Sequence, residues 1–304
     1  MGKLSTIIVR LTEIDRYPEL PSNIERVTGE SWDSVSSCLG QDTRILLACL
    51  DGVPSGLAIL GTDVKEATFL YVKRLECVRP AGSSDARRIV AHMVPQIRRQ
   101  GRDMGFPEIQ VEEERPFFID LLKEHGFREW RRDMVMQLCL KNHREAKPPR
   151  GVRVVRIPGD VDRFVKVWNE IVLSATSKES FDDFPPINAQ YIRSKLGEPN
   201  TVLDPEGWFV AYLHYRACGL VTVDRLGGVG DLMVATWARR KGVGTALLDP
   251  ALSFLKKRGF EKAEISLREE NLPAIRLYTK VGFQAKATRV SLVASTQQTL
   301  TPEA

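Results

Sequence analysis

The sequence predicts an α/β chain made of two tandem domains on one plan, each a twisted mixed sheet (α+β) flanked by helices. Three observations carry this. The 304 residues are about twice the usual domain length. Strand-like apolar runs and helix-period segments succeed one another in both halves. The order of these elements in the second half repeats that of the first.

In the first half, Ile7-Ile8-Val9 opens a strand, and Val9-Arg10-Leu11 before an acidic turn resembles Val155-Arg156-Ile157 before Pro158-Gly159-Asp160. The segment LLACLDGVPSGLAI, 46–59, reads against FVAYLHYRACGLVT, 209–222, with Ala48/Ala211, Leu50/Leu213, Gly56/Gly219 and Leu57/Leu220 in register. Both are hairpin-like strand pairs. Further on, Val78/Val234 and Gly126-Phe127/Gly282-Phe283 keep one common interval, which an internal duplication explains. After the alternating stretch Met134 to Leu138 the composition turns polar and basic, which predicts a first domain over 1–143, a linker over 144–151 and a second domain over 152–293. The second domain reads as strand 152–157, helices near 160–173 and 187–196, strands 207–214, 217–224 and 229–235, helix 243–258, strand 262–268, helix 271–280 and strand 283–293. Residues 294–304 read as a disordered tail.

Composition narrows the function. The net charge of +5, from 44 basic and 39 acidic residues, is mild, and the basic doublets are scattered without interleaved aromatics, which argues against a nucleic-acid partner. No apolar run reaches the roughly 20 residues of a membrane span, and no secretory leader is visible, so a cytoplasmic protein is expected. Five cysteines without C-x-x-C pairing and four histidines without ligand spacing imply no metal.

Chemistry concentrates in the second half. Leu232-Met233-Val234 ends a strand, and Arg239-Arg240-Lys241-Gly242-Val243-Gly244-Thr245 opens a helix. A strand, a glycine-bearing turn and a helix N-terminus make an anion site, because unpaired amides and the positive end of the helix dipole converge there. Gly242 and Gly244 are expected to let the backbone approach a bound oxygen, while Arg239, Arg240 and Lys241 add charge suited to a pyrophosphate. Past the helix come strand 263–267 and the run Asn271, Ala274, Tyr278 and Gly282-Phe283. The order and spacing of these two motifs resemble the GNAT superfamily of N-acetyltransferases in a tandem-GNAT architecture. The resemblance covers 207–290 closely, 152–206 by element order, and the first half in outline.

That resemblance implies an enzyme, an acyl-CoA N-acyltransferase, with acetyl-CoA as co-substrate wedged where the fourth and fifth strands of the sheet splay apart. Backbone amides near Met233 and Val234 would hold the pantetheine and acetyl carbonyl, the Arg239–Thr245 turn the pyrophosphate, and Asn271 the pantetheine arm. Tyr278 would face the thioester sulfur. A primary amine, on a small molecule, a peptide N-terminus or a lysine, would attack directly in a ternary complex. Ser266 stands where ribosomal-protein-type relatives commonly carry a glutamate base. Glu264, on the same strand face, or Asp231, on the fourth strand, would then act through a water, unless a water chain or another carboxylate does so. Asp182 and Asp183, between Phe181 and Phe184, suit a cationic amine, with a plain solvated loop as the alternative.

Carrying the Val78/Val234 interval through the first half sets Ser83 against Arg239, Ala86 against Gly242, Arg88 against Gly244, Arg115 against Asn271 and Leu122 against Tyr278. The first domain is therefore expected to keep the fold without catalysis. The competing reading of the whole chain is a non-enzymatic acyl-CoA sensor or scaffold on the same duplicated fold.

Overall fold

The computed structural model describes residues 2–36, 39–40, 42–62, 69–141, 143, 147–174, 186–197 and 201–297. They fall into two units, one of Met1–Asp133 with Thr288–Ala304 and one of Met134–Ala287.

The first unit contains β1 (Leu4–Arg10), α1 (Leu20–Thr28), α2 (Trp32–Ser36), β2 (Arg44–Leu50), β3 (Val53–Gly61), β4 (Phe69–Cys77), α3 (Ser84–Asp103), β5 (Glu108–Glu113) and α4 (Pro116–Glu124). Strands β1 to β4 pair antiparallel in chain order. β4 and β5 are parallel, with Phe69–Val72 beside Glu108–Val111. The apolar run of β2 is continuous rather than alternating because both sheet faces are covered. Ile45 and Leu47 pack with α1 residues Leu20 and Ile24. Leu46 and Ala48 pack with α3 residues Ile89 and Met93.

The second unit contains β7 (Val152–Arg156), α5 (Val161–Ser174), α6 (Ala189–Leu196), β8 (Leu203–Leu213), β9 (Arg216–Asp224) and β10 (Val229–Val234). A 3-10 turn, α7 (Val243–Lys257), β11 (Lys262–Arg268) and α8 (Leu272–Val281) follow. β10, β9, β8 and β7 form an antiparallel sheet in that order. On one face Trp208, Val210, Leu220 and Met233 pack with α5 and α6; on the other Phe209, Ala211 and Val221 pack with α7. The mixed α/β plan is thus as expected, helices flanking a sheet in each unit. Among the described residues no helix is long and apolar enough to cross a membrane.

Two strands depart from the linear boundaries 1–143 and 152–293. β6 (Arg128–Cys139) and β12 (Gln284–Ser295) each pass through the division. Met136 belongs to the second unit's core, whereas Val290, Leu292 and Ala294 are buried in the first. There, Val290–Ser295 pairs antiparallel with Glu113–Glu108 of β5. A strand's apolar pattern shows that it pairs but not with what. The expected tail at 294–304 is likewise corrected at its start: Ala294 and Ser295 complete β12, and the buried Thr296 hydroxyl donates to the Phe106 carbonyl at 2.8 Å. A Cβ on Gly101 of α3 would lie 2.6 Å from Thr296 Cγ2, so this glycine makes the room that admits the threonine. Residues 298–304 lie outside the described residues.

The two β-hairpins at equivalent places use different turns. In the first unit Asp51 (φ +53) and Gly52 (φ +78) link paired residues Leu50 and Val53. In the second, His214 (φ +49) and Tyr215 (φ +67) link paired residues Leu213 and Arg216. Two-residue hairpin loops need positive φ at both positions, which Asp-Gly supplies readily. A bulky residue held left-handed costs about 1–2 kcal/mol, so the second turn is the more strained.

Candidate active site

The site begins where a strand pair stops. β10 is the edge of its four-stranded sheet, and among the described residues it meets β11 only at the parallel bridge Gly228↔Glu264. Beyond that bridge the strands are in separate sheets, so outward backbone groups along Asp231–Val234 have no neighbouring strand. This is the splay between fourth and fifth strands that the resemblance implied. A bulge between Val229 and Leu232 shapes it. The Asp231 amide donates to Thr222 Oγ1 at 3.0 Å, and a Cβ on Gly230 would lie 2.4 Å from that same oxygen. Thr222 and Gly230 escaped the sequence reading, although a glycine inside a strand pattern is a bulge signal.

At the end of β10 the chain passes through the turn Thr236–Ala238 and enters α7 at Gly242, its N-cap, which has φ +77 and no side-chain cap. The first backbone hydrogen bond of the helix runs from the Ala246 amide to the Gly242 carbonyl. The amides of Val243, Gly244 and Thr245 are therefore left for an outside acceptor, as at any uncapped helix start. Arg239, Arg240 and Lys241 are exposed beside them, and Arg239 Nε donates back to the Val234 carbonyl at 3.2 Å. The glycines also make room for protein neighbours. A Cβ on Gly244 would meet Leu277 Cδ2 of α8 at 2.8 Å, and one on Gly242 would meet the Pro149 ring at 2.7 Å. They admit protein neighbours, and Gly242 also supplies the left-handed entry. Replacing Gly242 by alanine should therefore lower folding stability by about 1–2 kcal/mol, read as a shift of the urea midpoint.

Tyr278, on α8, is 4% exposed and stands edge-on to Phe283 with ring centroids 5.6 Å apart. Burial, and then the negative charge of Asp231, push its phenol above the ordinary tyrosine range. Asp231 is itself held above the usual carboxylate range by burial, partly offset by its own amide. The structure thus brings Tyr278 and Asp231 into electrostatic reach of each other. Glu264 sits instead at the closed base of the fork, with its carboxylate 3.1 Å from Lys286 Nζ. Asn271 caps α8, its Oδ1 accepting from the Ala274 amide at 3.2 Å, so any ligand contact falls to its amide nitrogen. Met233 is buried on the α5 face, and Val234 packs toward α7. Asp182 and Asp183 lie outside the described residues.

The first unit closes the equivalent places with its own side chains. Past Val72 the β4–β5 pairing ends, and Arg115 spans the gap. It donates to the Leu75 carbonyl at 2.6 Å, to Glu76 Oε2 at 2.8 Å and to Glu113 Oε2 at 2.7 Å. Its guanidinium lies 4.1 Å from the Phe118 ring centre. Helix α3 is capped internally, Ser83 Oγ accepting from the Ala86 amide at 3.2 Å. Because Ser83 and Gly242 are both N-caps, Ser83 corresponds to Gly242 and not to Arg239. The constant interval failed here because the strand-to-helix connection is longer in the second unit. It holds further on: Arg115 and Asn271 are both N-caps, and Leu122, fully buried, stands for Tyr278.

Comparison with known proteins agrees with this geometry. Residues 168–283 match the Acetyltransferase (GNAT) family. The chain is 26% identical over 153 residues to the mycothiol acetyltransferase of Catenulispora acidiphila, a match covering 47% of this chain and 47% of that protein. It spans only about half the length of such curated relatives. Two solved structures share the fold. The GCN5-related N-acetyltransferase from Sphaerobacter thermophilus has a TM-score of 0.67 at 19% identity, over 96% of each chain. A tandem GNAT protein from the clavulanic acid biosynthesis pathway has a TM-score of 0.68 at 14% identity, over 98% of this chain and 100% of that one. Residues 168–283 of the second unit thus match the GNAT acetyltransferase family, in a chain that shares the fold of a tandem GNAT protein.

Proposed function

We propose that the second unit transfers the acetyl group of acetyl-CoA to a primary amine by direct attack in a ternary complex, in the cytoplasm. The observation that carries this is the β10–β11 fork ending at an uncapped helix start with three exposed cations beside it. In this reading the amides of Val243, Gly244 and Thr245, with Arg239, Arg240 and Lys241, bind the pyrophosphate. The free edge of β10 near Met233 and Val234 holds the pantetheine and the acetyl carbonyl, joined by the Asn271 amide nitrogen. Asp231 takes the proton from the incoming ammonium, its raised pKa bringing it nearer the working range of a base. Glu264 is the weaker candidate because Lys286 already pairs with it. Tyr278 donates a hydrogen bond to the departing sulfur. A thiol ionises near pKa 8.5, well below this phenol, so complete proton transfer from Tyr278 would run uphill. The first unit takes no acetyl-CoA, since Arg115 and Ser83 occupy what the cofactor would need. The acceptor is a small amine, a peptide N-terminus or a lysine.

Free thiol released from acetyl-CoA across a panel of amines tests this. Turnover is expected with at least one amine, with one equivalent of acetyl-CoA bound per chain. Gly242→Glu, which places a strained anionic residue at the helix start, should abolish both. Two equivalent sites per chain would refute the assignment of the units, and binding without turnover on any amine would favour the acyl-CoA sensor.

A further inference from the structure

A hollow of about 480 Å³ opens between α5 and the β8–β9 turn, and none of the groups assigned to acetyl transfer lines it. Its size is that of small-ligand pockets. Arg163, Lys166 and Glu170 line it from α5, and Tyr212, Tyr215 and Arg216 from the hairpin. Three cations thus face one carboxylate. Among the described residues none of the three cations is paired with an acid. Arg163 donates to the Tyr212 hydroxyl at 2.8 Å, and its guanidinium lies 5.7 Å from that ring centre. Arg216 lies 4.7 Å over the Trp237 ring. Aromatic neighbours fix both guanidinium groups and leave their charge uncompensated, the condition under which arginine forks take phosphate.

Tyr215 is fully exposed at the rim, and its ring is the free aromatic face of the hollow. It stands there at a cost, because His214 and Tyr215 both hold positive φ where the first unit's turn uses Asp51-Gly52. Strain kept where a relaxed alternative exists points to use of the side chains. We infer that the hollow binds a nucleoside phosphate, separate from the acetyl donor. The base stacks on Tyr215, the phosphate sits among Arg163, Lys166 and Arg216, and Glu170 accepts from a ribose hydroxyl.

Calorimetric titration of the full chain with ADP, with and without saturating coenzyme A, tests this. Saturable ADP binding should persist in coenzyme A and weaken at least tenfold in Lys166→Glu, a change on an exposed helix position. The double variant His214→Asn, Tyr215→Gly installs a relaxed turn, so its Tm should rise while ADP binding is lost and acetyl transfer is kept. The inference is overturned by absence of saturable ADP binding, by displacement with coenzyme A, or by wild-type ADP affinity in either variant.

Discussion

Tyr278→Phe is expected to lower kcat by about 10²-fold or more while leaving the KM for acetyl-CoA within a few-fold. The phenylalanine keeps the edge-on contact with Phe283 and the burial within the core, so the fold and the fork survive. On the proposed mechanism, what is lost is a donor to the charge that develops on the sulfur, an interaction made mainly in the transition state. Such a loss falls on kcat rather than on binding. Steady-state kinetics with the best amine from the panel, paired with direct titration of acetyl-CoA, separate the two. Equal loss in kcat and in binding would make Tyr278 a packing residue.

Asp231→Asn should reduce kcat/KM by about 10²–10⁴-fold and remove the acid limb of its pH profile. In the wild type that limb should rise through an apparent pKa above the ordinary aspartate value of about 3.9, because burial favours the neutral carboxyl. The linkage has a definite sign. A carboxyl whose pKa is raised on folding contributes stability below its unfolded pKa and loses it as pH rises through the folded pKa. Asparagine carries no such loss, so the variant should gain stability relative to wild type above that pH, the opposite of its effect on activity. Urea midpoints measured across the same pH series check this. Retention of the limb in Asp231→Asn, and its loss in Glu264→Gln, would move the base to Glu264.

The parts of the site that could be read in the sequence are those where chemistry is local. Arg239 to Thr245 is contiguous, and a strand, turn and helix start dictate its character without help from elsewhere. Asn271 and Tyr278 lie on one helix, so their spacing survives folding. Relations across strands were not legible. The role of Gly230 depends on a hydroxyl eight positions earlier, and the pairing of Glu264 depends on Lys286. Gly242 and Gly244 stand out in the sequence, but nothing in the chain's order places Pro149 or Leu277 against them. The expectation that the first domain is non-catalytic rests on residue types alone, and the reach of Arg115 to the Leu75 carbonyl is a tertiary contact those types do not reveal. In each case the missing information was a tertiary neighbour.

The path of β12 has a bearing on biosynthesis. The first unit's sheet takes in Val290–Ser295, so the ribosome must deliver the residues through that segment before β5 can acquire its partner. At roughly 5–20 residues per second, Glu113 waits on the order of ten to forty seconds for that partner. During this interval its hydrogen-bonding rim is open to any passing extended peptide. The row Glu112, Glu113 and Glu114 there supplies negative charge that discourages self-association of nascent chains at this rim.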